Sequence, residues 1–156
     1  MERNKEQIIG RIRKCSLVIS IICLAVALLN GYVLYHWISG TIGIVTDGMT
    51  QTDRIRIPLG YGFTIAIMLL FAILFFSMSG SGRPFTPKKI RMMLLIGVLM
   101  LLNALIPAVI MMPSIGIKTV FYLLTSTSLP ESLMFLFAAL IMYYASILQQ
   151  ESDETL

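Results

Sequence analysis

Residues 92–112 read MMLLIGVLMLLNALIPAVIMM, without one Asp, Glu, Lys or Arg. A helix that crosses a bilayer needs about 20 mostly apolar residues to cover roughly 30 Å of hydrocarbon. This stretch has that length, as do residues 15–37 and 59–79, with the shorter residues 132–149 as a fourth. None of the other three contains Asp, Glu, Lys or Arg either. Around them, the 156-residue chain is 57% hydrophobic and only 13% charged. A soluble domain runs near 45–50% apolar and about 25% charged, and a small one keeps too much surface in water to hide such an excess. Disorder is excluded by the same figures, and a disulfide scaffold by a count of two cysteines. The expected fold is an all-α membrane protein, a four-transmembrane-helix bundle forming a single domain over residues 1–156.

The polar connections differ in charge. Residues 1–14 carry Arg3, Lys5, Arg11, Arg13 and Lys14, and the middle loop carries Arg83, Lys88, Lys89 and Arg91. The loop over residues 38–58 carries Arg54 and Arg56, and the loop over residues 113–130 carries Lys118. Four spans put both termini on one side, which then holds nine Lys and Arg against three. The positive-inside rule places that side, with both termini, in the cytoplasm of a cell membrane. The formal net charge of +4 is thus read as a topology signal that meets anionic lipid headgroups. Direct nucleic-acid binding is the weaker reading, because no basic stripe extends into a water-soluble domain. Span one is expected to be retained rather than cleaved. Its apolar core is too long for a signal peptide, and no small-x-small site follows it.

Local patterns mark the ends of the spans. In Thr86-Pro87, threonine takes the N-cap and proline the first helical position of span three. Ser128-Leu129-Pro130-Glu131 is a capping-box pattern opening span four. Val120–Leu124 is apolar but too short to cross, and reads as an interfacial or packed segment. Tyr32, Tyr35, His36 and Trp37 form an aromatic belt at the outer end of span one.

Inside span three, Pro107 removes the donor that would serve the carbonyl of Asn103. A kink is expected there, with Asn103 and Asn30 bonding between helices. Asn30, Asn103 and Pro107 form the candidate intramembrane polar site. The spans show no clean small-xxx-small run.

Chemistry-bearing patterns are sparse. There is no nucleophile elbow, no zinc-protease helix and no phosphate-binding loop, which argues against an enzyme. One histidine cannot hold a metal by itself, and the 11 methionines read as core fillers rather than a Cu(I) site. Neither a cofactor nor a metal is expected. Cys15 and Cys23 lie about 12 Å apart along one helix, too far to bridge. No span carries the acidic group on which a proton-coupled carrier depends. Asp47 and Asp53, beside Arg54 and Arg56, read as a solvated loop with local ion pairs.

The chain ends Glu151-Ser152-Asp153-Glu154-Thr155-Leu156. Anionic lipid repels such a tail. It either folds back on the basic middle loop, is displayed to a cytoplasmic protein, or frays. Two segments resemble the four-span bacterial membrane proteins of domain-of-unknown-function family 2975. Gly82-Arg83-Pro84-Phe85-Thr86-Pro87, leading into Ile90-Arg91, is similar to that family's G-x-P-F-T loop. The tail is similar to its E-x-D-x-T ending followed by an aliphatic residue. Lys88-Lys89 depart from the family, where an acidic or amide residue is more usual. The resemblance implies a four-helix membrane protein without an assigned activity. It also implies a membrane partner for a cytoplasmic helix-turn-helix regulator, because family members are often encoded beside one.

Two functional expectations follow. In the first, a cytoplasmic face docks a regulator. The loop would contribute Arg83, Pro84, Phe85, Thr86, Lys88, Lys89 and Arg91, and the tail Glu151, Asp153 and Thr155. In the second, Asn30, Asn103 and Pro107 line the path of a small transporter or a lipid- or ligand-binding site. Assembly into a homo- or hetero-oligomer, with apolar helix faces buried against other spans, is the third possibility.

Overall fold

A computed structural model describes residues 2–40, 50–81, 86–123 and 129–154. The chain is almost entirely helical: α1 Glu2–Ile38, α2 Gln51–Ser81, α3 Pro87–Ile115, the short α4 Ile117–Leu123, and α5 Leu129–Glu154. Four segments are long and apolar enough to cross a membrane: Ile9–Ile38, Gln51–Gly80, Pro87–Pro113 and Leu129–Ile147. The expectation of a multi-span α-helical membrane protein is met, and each helix outruns the apolar stretch that announced it. The apolar segment at Val120 is a helix of its own, α4, with Val120 buried.

α2 starts eight residues before the sequence reading places it, so residues 51–58 are helix rather than loop. Thr50 explains the early start. Its hydroxyl oxygen accepts from the Asp53 backbone N–H at 3.3 Å and donates to Asp53 Oδ2 at 2.8 Å, which satisfies an orphan donor of the first turn. Pro58 is carried inside the helix. It supplies no N–H to the carbonyl of Arg54. At the start of α3, Thr86 holds the extended N-cap conformation and Pro87 the first helical position, as the sequence indicates. The Thr86 side chain makes no capping bond; the Ile90 N–H reaches the Thr86 carbonyl at 3.1 Å instead.

The helices pack in a row. α1 lies along α2, α2 along α3, and α3 along α5. Among the described residues, the backbone of α1 comes close to neither α3 nor α5. Lipid tails are as apolar as leucine, so such helices are held by close packing and hydrogen bonds rather than by apolar burial. α1 turns Ser16, Ser20 and Ala27 inward, with Cys23 half-buried on the same stripe. That four-three spacing of small residues is a close-approach face the sequence reading missed, because it looked for a glycine-type run. Ser20 Oγ donates to the Ala72 carbonyl at 2.8 Å, joining α1 to α2. α3 and α5 meet at the buried Gly97, where an added Cβ would lie 2.5 Å from Leu136 Cδ2 and 2.8 Å from its Cγ. Ile96, Ser132 and Ala139 are fully buried nearby in sequence.

The apolar core forms where α2, α3 and α5 converge, around Ile67, Leu74 and Ile96. Phe71 stacks on Phe75 with centroids 6.1 Å apart and meets Phe135 of α5 edge-on at 5.2 Å. Outward faces carry large apolar side chains, among them Leu28, Leu29, Phe76, Val109, Met134 and Phe137, each more than 60% exposed. In water such a surface is an association patch; in hydrocarbon it is the solvated face.

Gly97→Leu is expected to force α5 off α3 and cost about 1–3 kcal/mol, read as a lower thermal midpoint in mild detergent. Gly62→Ala, with open space at its Cβ position, should leave the midpoint unchanged or slightly higher. Ser20→Ala should cost about 0.6–1 kcal/mol, the usual worth of an interhelical bond in a membrane.

Candidate functional site

Two cavities bear on the candidate residues. The first has a volume of about 550 Å³ and lies between α1, α2 and α3. Asn30 and Trp37 line it from α1; Arg56, Ile57, Gly60, Tyr61 and Thr64 from α2; Asn103 and Pro107 from α3. Asn30, Asn103 and Pro107, far apart in sequence, therefore share one cavity. The α2 residues recur at alternating intervals of one and three, the stripe that one helix face presents. Arg56 and Thr64 stand two turns apart, about 12 Å along the axis.

The polar groups are held unequally. Asn30 Nδ2 donates to the carbonyl of Val26 on its own helix at 2.8 Å, so it does not make the interhelical bond expected of it. A helix carbonyl one turn back is within reach of the short asparagine side chain, which takes it. Thr64 Oγ1 donates to Gly60 in the same local way, at 2.9 Å. Asn103 makes no side-chain hydrogen bond among the described residues. α3 runs unbroken through Pro107, whose missing N–H leaves the Asn103 carbonyl without its helical donor.

Arg56 is the cation of this cavity. Its side chain is 34% exposed, and Nη2 lies 3.5 Å from Asp53 Oδ1. Nη1 donates to the thioether of Met111 on α3 at 3.0 Å. Nε is buried and has no hydrogen-bond partner. The ion pair expected of the outer loop thus exists, but on the first turns of a helix. Asp47 lies outside the described residues. Sequence reading missed Arg56 because a charge next to Pro58 and Gly60 reads as loop. Thr50-Gln51-Thr52-Asp53, a capping-box pattern with Asp in place of Glu, is the signal that would have found it.

Trp37 departs from the aromatic belt in lining the cavity. Tyr32 and Tyr35 remain exposed, with the His36 ring edge-on to both at 4.3 Å and 5.4 Å.

The second cavity, of about 700 Å³, lies at the start of α3 and is lined by Thr86, Pro87, Lys88, Arg91, Met92 and Leu95. Lys88 and Arg91 are exposed there, whereas Lys89 is buried at 4% exposure. Lys88, Lys89 and Arg91 therefore do not form one evenly exposed charged surface. Arg83, Pro84, Phe85 and Thr155 lie outside the described residues. Glu151 and Asp153 fall within the last turn of α5, which is helical to Glu154.

Among the described residues no three His, Cys, Asp or Glu gather as a metal-binding group.

The capping turn makes separable contributions. Thr50→Ala should cost about 1 kcal/mol of stability through the lost cap. Asp53→Gln, which gives up the long ion pair, should cost less than about 1 kcal/mol on that account. Thermal melts of both variants in one detergent check the order.

No family model, curated protein or solved structure matches the chain.

Proposed function

We propose that this chain is a non-enzymatic, multi-pass protein of the cell membrane that binds a small ligand in the cavity between α1, α2 and α3. The supporting observation is convergence: Asn30 and Asn103 with Pro107, and a partly satisfied Arg56, border one space of about 550 Å³. That volume falls within the roughly 300–1,000 Å³ of small-molecule sites. Polar side chains inside spans are costly to keep, and a cluster of them facing a cavity marks a ligand or transport path. Both termini lie in the cytoplasm on this reading, supported by nine basic residues on that side against three on the other. The cavity then opens near the outer surface.

A second reading concerns the opposite end. Exposed Lys88 and Arg91 with Thr86 border the other cavity, and they adjoin the segment that resembles family 2975. By that resemblance, this end docks a cytoplasmic helix-turn-helix regulator, with Arg83, Pro84 and Phe85 and the acidic tail completing the face. Lys89 would act from beneath the surface. Self-association or assembly with other spans would cover the exposed apolar faces.

Ligand-induced thermal shifts on the purified protein test the first reading. Compounds that raise the midpoint should lose their effect in Asn103→Leu and Asn30→Leu. Shifts that survive both variants would remove the cavity as the site. For the second reading, a membrane pull-down should lose a partner when Lys88 and Arg91 are both changed to Gln; an unchanged partner set would remove it. A thiol placed at position 84 or 153 should resist labelling from outside intact cells, and labelling there would overturn the orientation.

A further inference from the structure

We infer that the cavity holds the anionic headgroup of a membrane amphiphile, which enters sideways from the bilayer between α1 and α3 and sets its charge against Arg56. This rests on the ligand-binding reading above and names the class of ligand. Four observations carry it.

The first is the state of Arg56. A guanidinium has five N–H donors. Among the described residues they meet one thioether at 3.0 Å and one carboxylate oxygen at 3.5 Å, and Nε is buried with no partner. A thioether is a weak acceptor, and 3.5 Å is beyond a good charged hydrogen bond. An arginine serving only as an interfacial anchor would extend to water and hydrate. This one instead lies against Met111 of the neighbouring helix.

The second is local charge. Asp53 is partly committed to the helix cap, since its Oδ2 accepts from Thr50 and its Oδ1 alone approaches Arg56. Arg54, exposed on the same turn, is not among the residues that line the cavity. Arg56 is the cation that faces it, and one half-committed aspartate leaves that charge incompletely met. Planar guanidinium matches phosphate and carboxylate oxygens in two-point geometry.

The third is access. α1 and α3 both line the cavity, yet among the described residues their backbones do not approach each other, and α2 alone bridges them. The space between them is the entrance this inference assigns. A water-borne anion has no need of it, while an amphiphile does.

The fourth is the lining below Arg56. Ile57, Tyr61 and Pro107 offer apolar surface, and the Asn103 amide is unengaged among the described residues. An apolar chain with ester or hydroxyl groups near its head suits that mixture.

Trp37 is the only tryptophan and borders the cavity, so its fluorescence reports binding. The full chain, purified in a neutral maltoside detergent, is titrated with short-chain phosphatidylglycerol, with phosphatidylcholine of the same chains, and with glycerol 3-phosphate. Phosphatidylglycerol should change Trp37 emission at concentrations at least about tenfold below phosphatidylcholine, and glycerol 3-phosphate should not compete. Arg56→Gln should remove most of the tenfold preference, and Arg56→Lys should keep part of it. Arg54→Gln and Lys88→Gln serve as controls for diffuse charge attraction and should preserve it. If Arg56→Gln does not fold, Arg56→Lys together with Met111→Leu carries the same test.

Equal response to the two lipids, or a preference unchanged in Arg56→Gln, would overturn the anionic headgroup while leaving a neutral ligand possible. Competition by glycerol 3-phosphate would overturn lateral entry in favour of a soluble anion. A Trp37 signal insensitive to every ligand would remove this inference, and thermal shifts abolished by Asn103→Leu would then show that the broader reading survives it.

Discussion

In hydrocarbon, helices gain little by hiding apolar surface from one another, so they meet where their backbones can come close. That constraint organises this chain. Ser16, Ser20, Cys23 and Ala27 give α1 a thin face along α2, and Gly97 lets α5 reach α3. α1 packs on α2, α2 on α3, and α5 on α3. The large side chains are left to face lipid or to fill the one junction where three helices converge, at Ile67, Leu74 and Ile96. A row of pairwise contacts follows, and with it a gap between the two helices that flank α2.

The gap is where polar groups collect. A proline inside a membrane helix needs its freed carbonyl served by water, a neighbouring helix or a ligand. Pro58 and Pro107 both release carbonyls toward the end of the bundle where α1 leads into α2. Asn103 stands one turn before Pro107, and Arg56 reaches across α2 toward α3. Replacing these groups with leucines would make an unremarkable span of greater hydropathy. On the proposed reading, their joint presence at one cavity serves an occupant rather than packing.

The spans were legible because length and apolar content are properties of a window, insensitive to detail. Thr86-Pro87 was legible as a boundary because proline restricts the helix to starting there. The start of α2 was not, because two arginines, Pro58 and two glycines look like loop when counted one by one. The reciprocal bonds of Thr50 and Asp53 cap that turn, beside the Asp53 and Arg54 backbone N–H bonds to the Thr50 carbonyl. The trio Asn30, Asn103 and Pro107 was found from polarity alone. Arg56 was missed because charge outside an apolar window reads as solvated. The interhelical bond was sought from asparagine and lies instead on Ser20, whose hydroxyl sits against the backbone of α2. Asparagine next to its own helix carbonyls satisfies itself locally, a competition that residue type does not reveal.

Two of the basic residues in the first turns of α3 and the one that packs on its far end sit in different surroundings. Lys88 and Arg91 are exposed in the first turns, where cations oppose the helix dipole and are screened by water and salt. Arg56 packs against the far end of the same helix, partly shielded from both. Arg91 and Asn103 are separated by about 18 Å of helix, more than the Debye length of about 8 Å at physiological salt. Substitutions that far apart, with no shared partner, act additively. The two proposed activities, ligand binding at one end and protein docking at the other, would therefore respond independently to substitution.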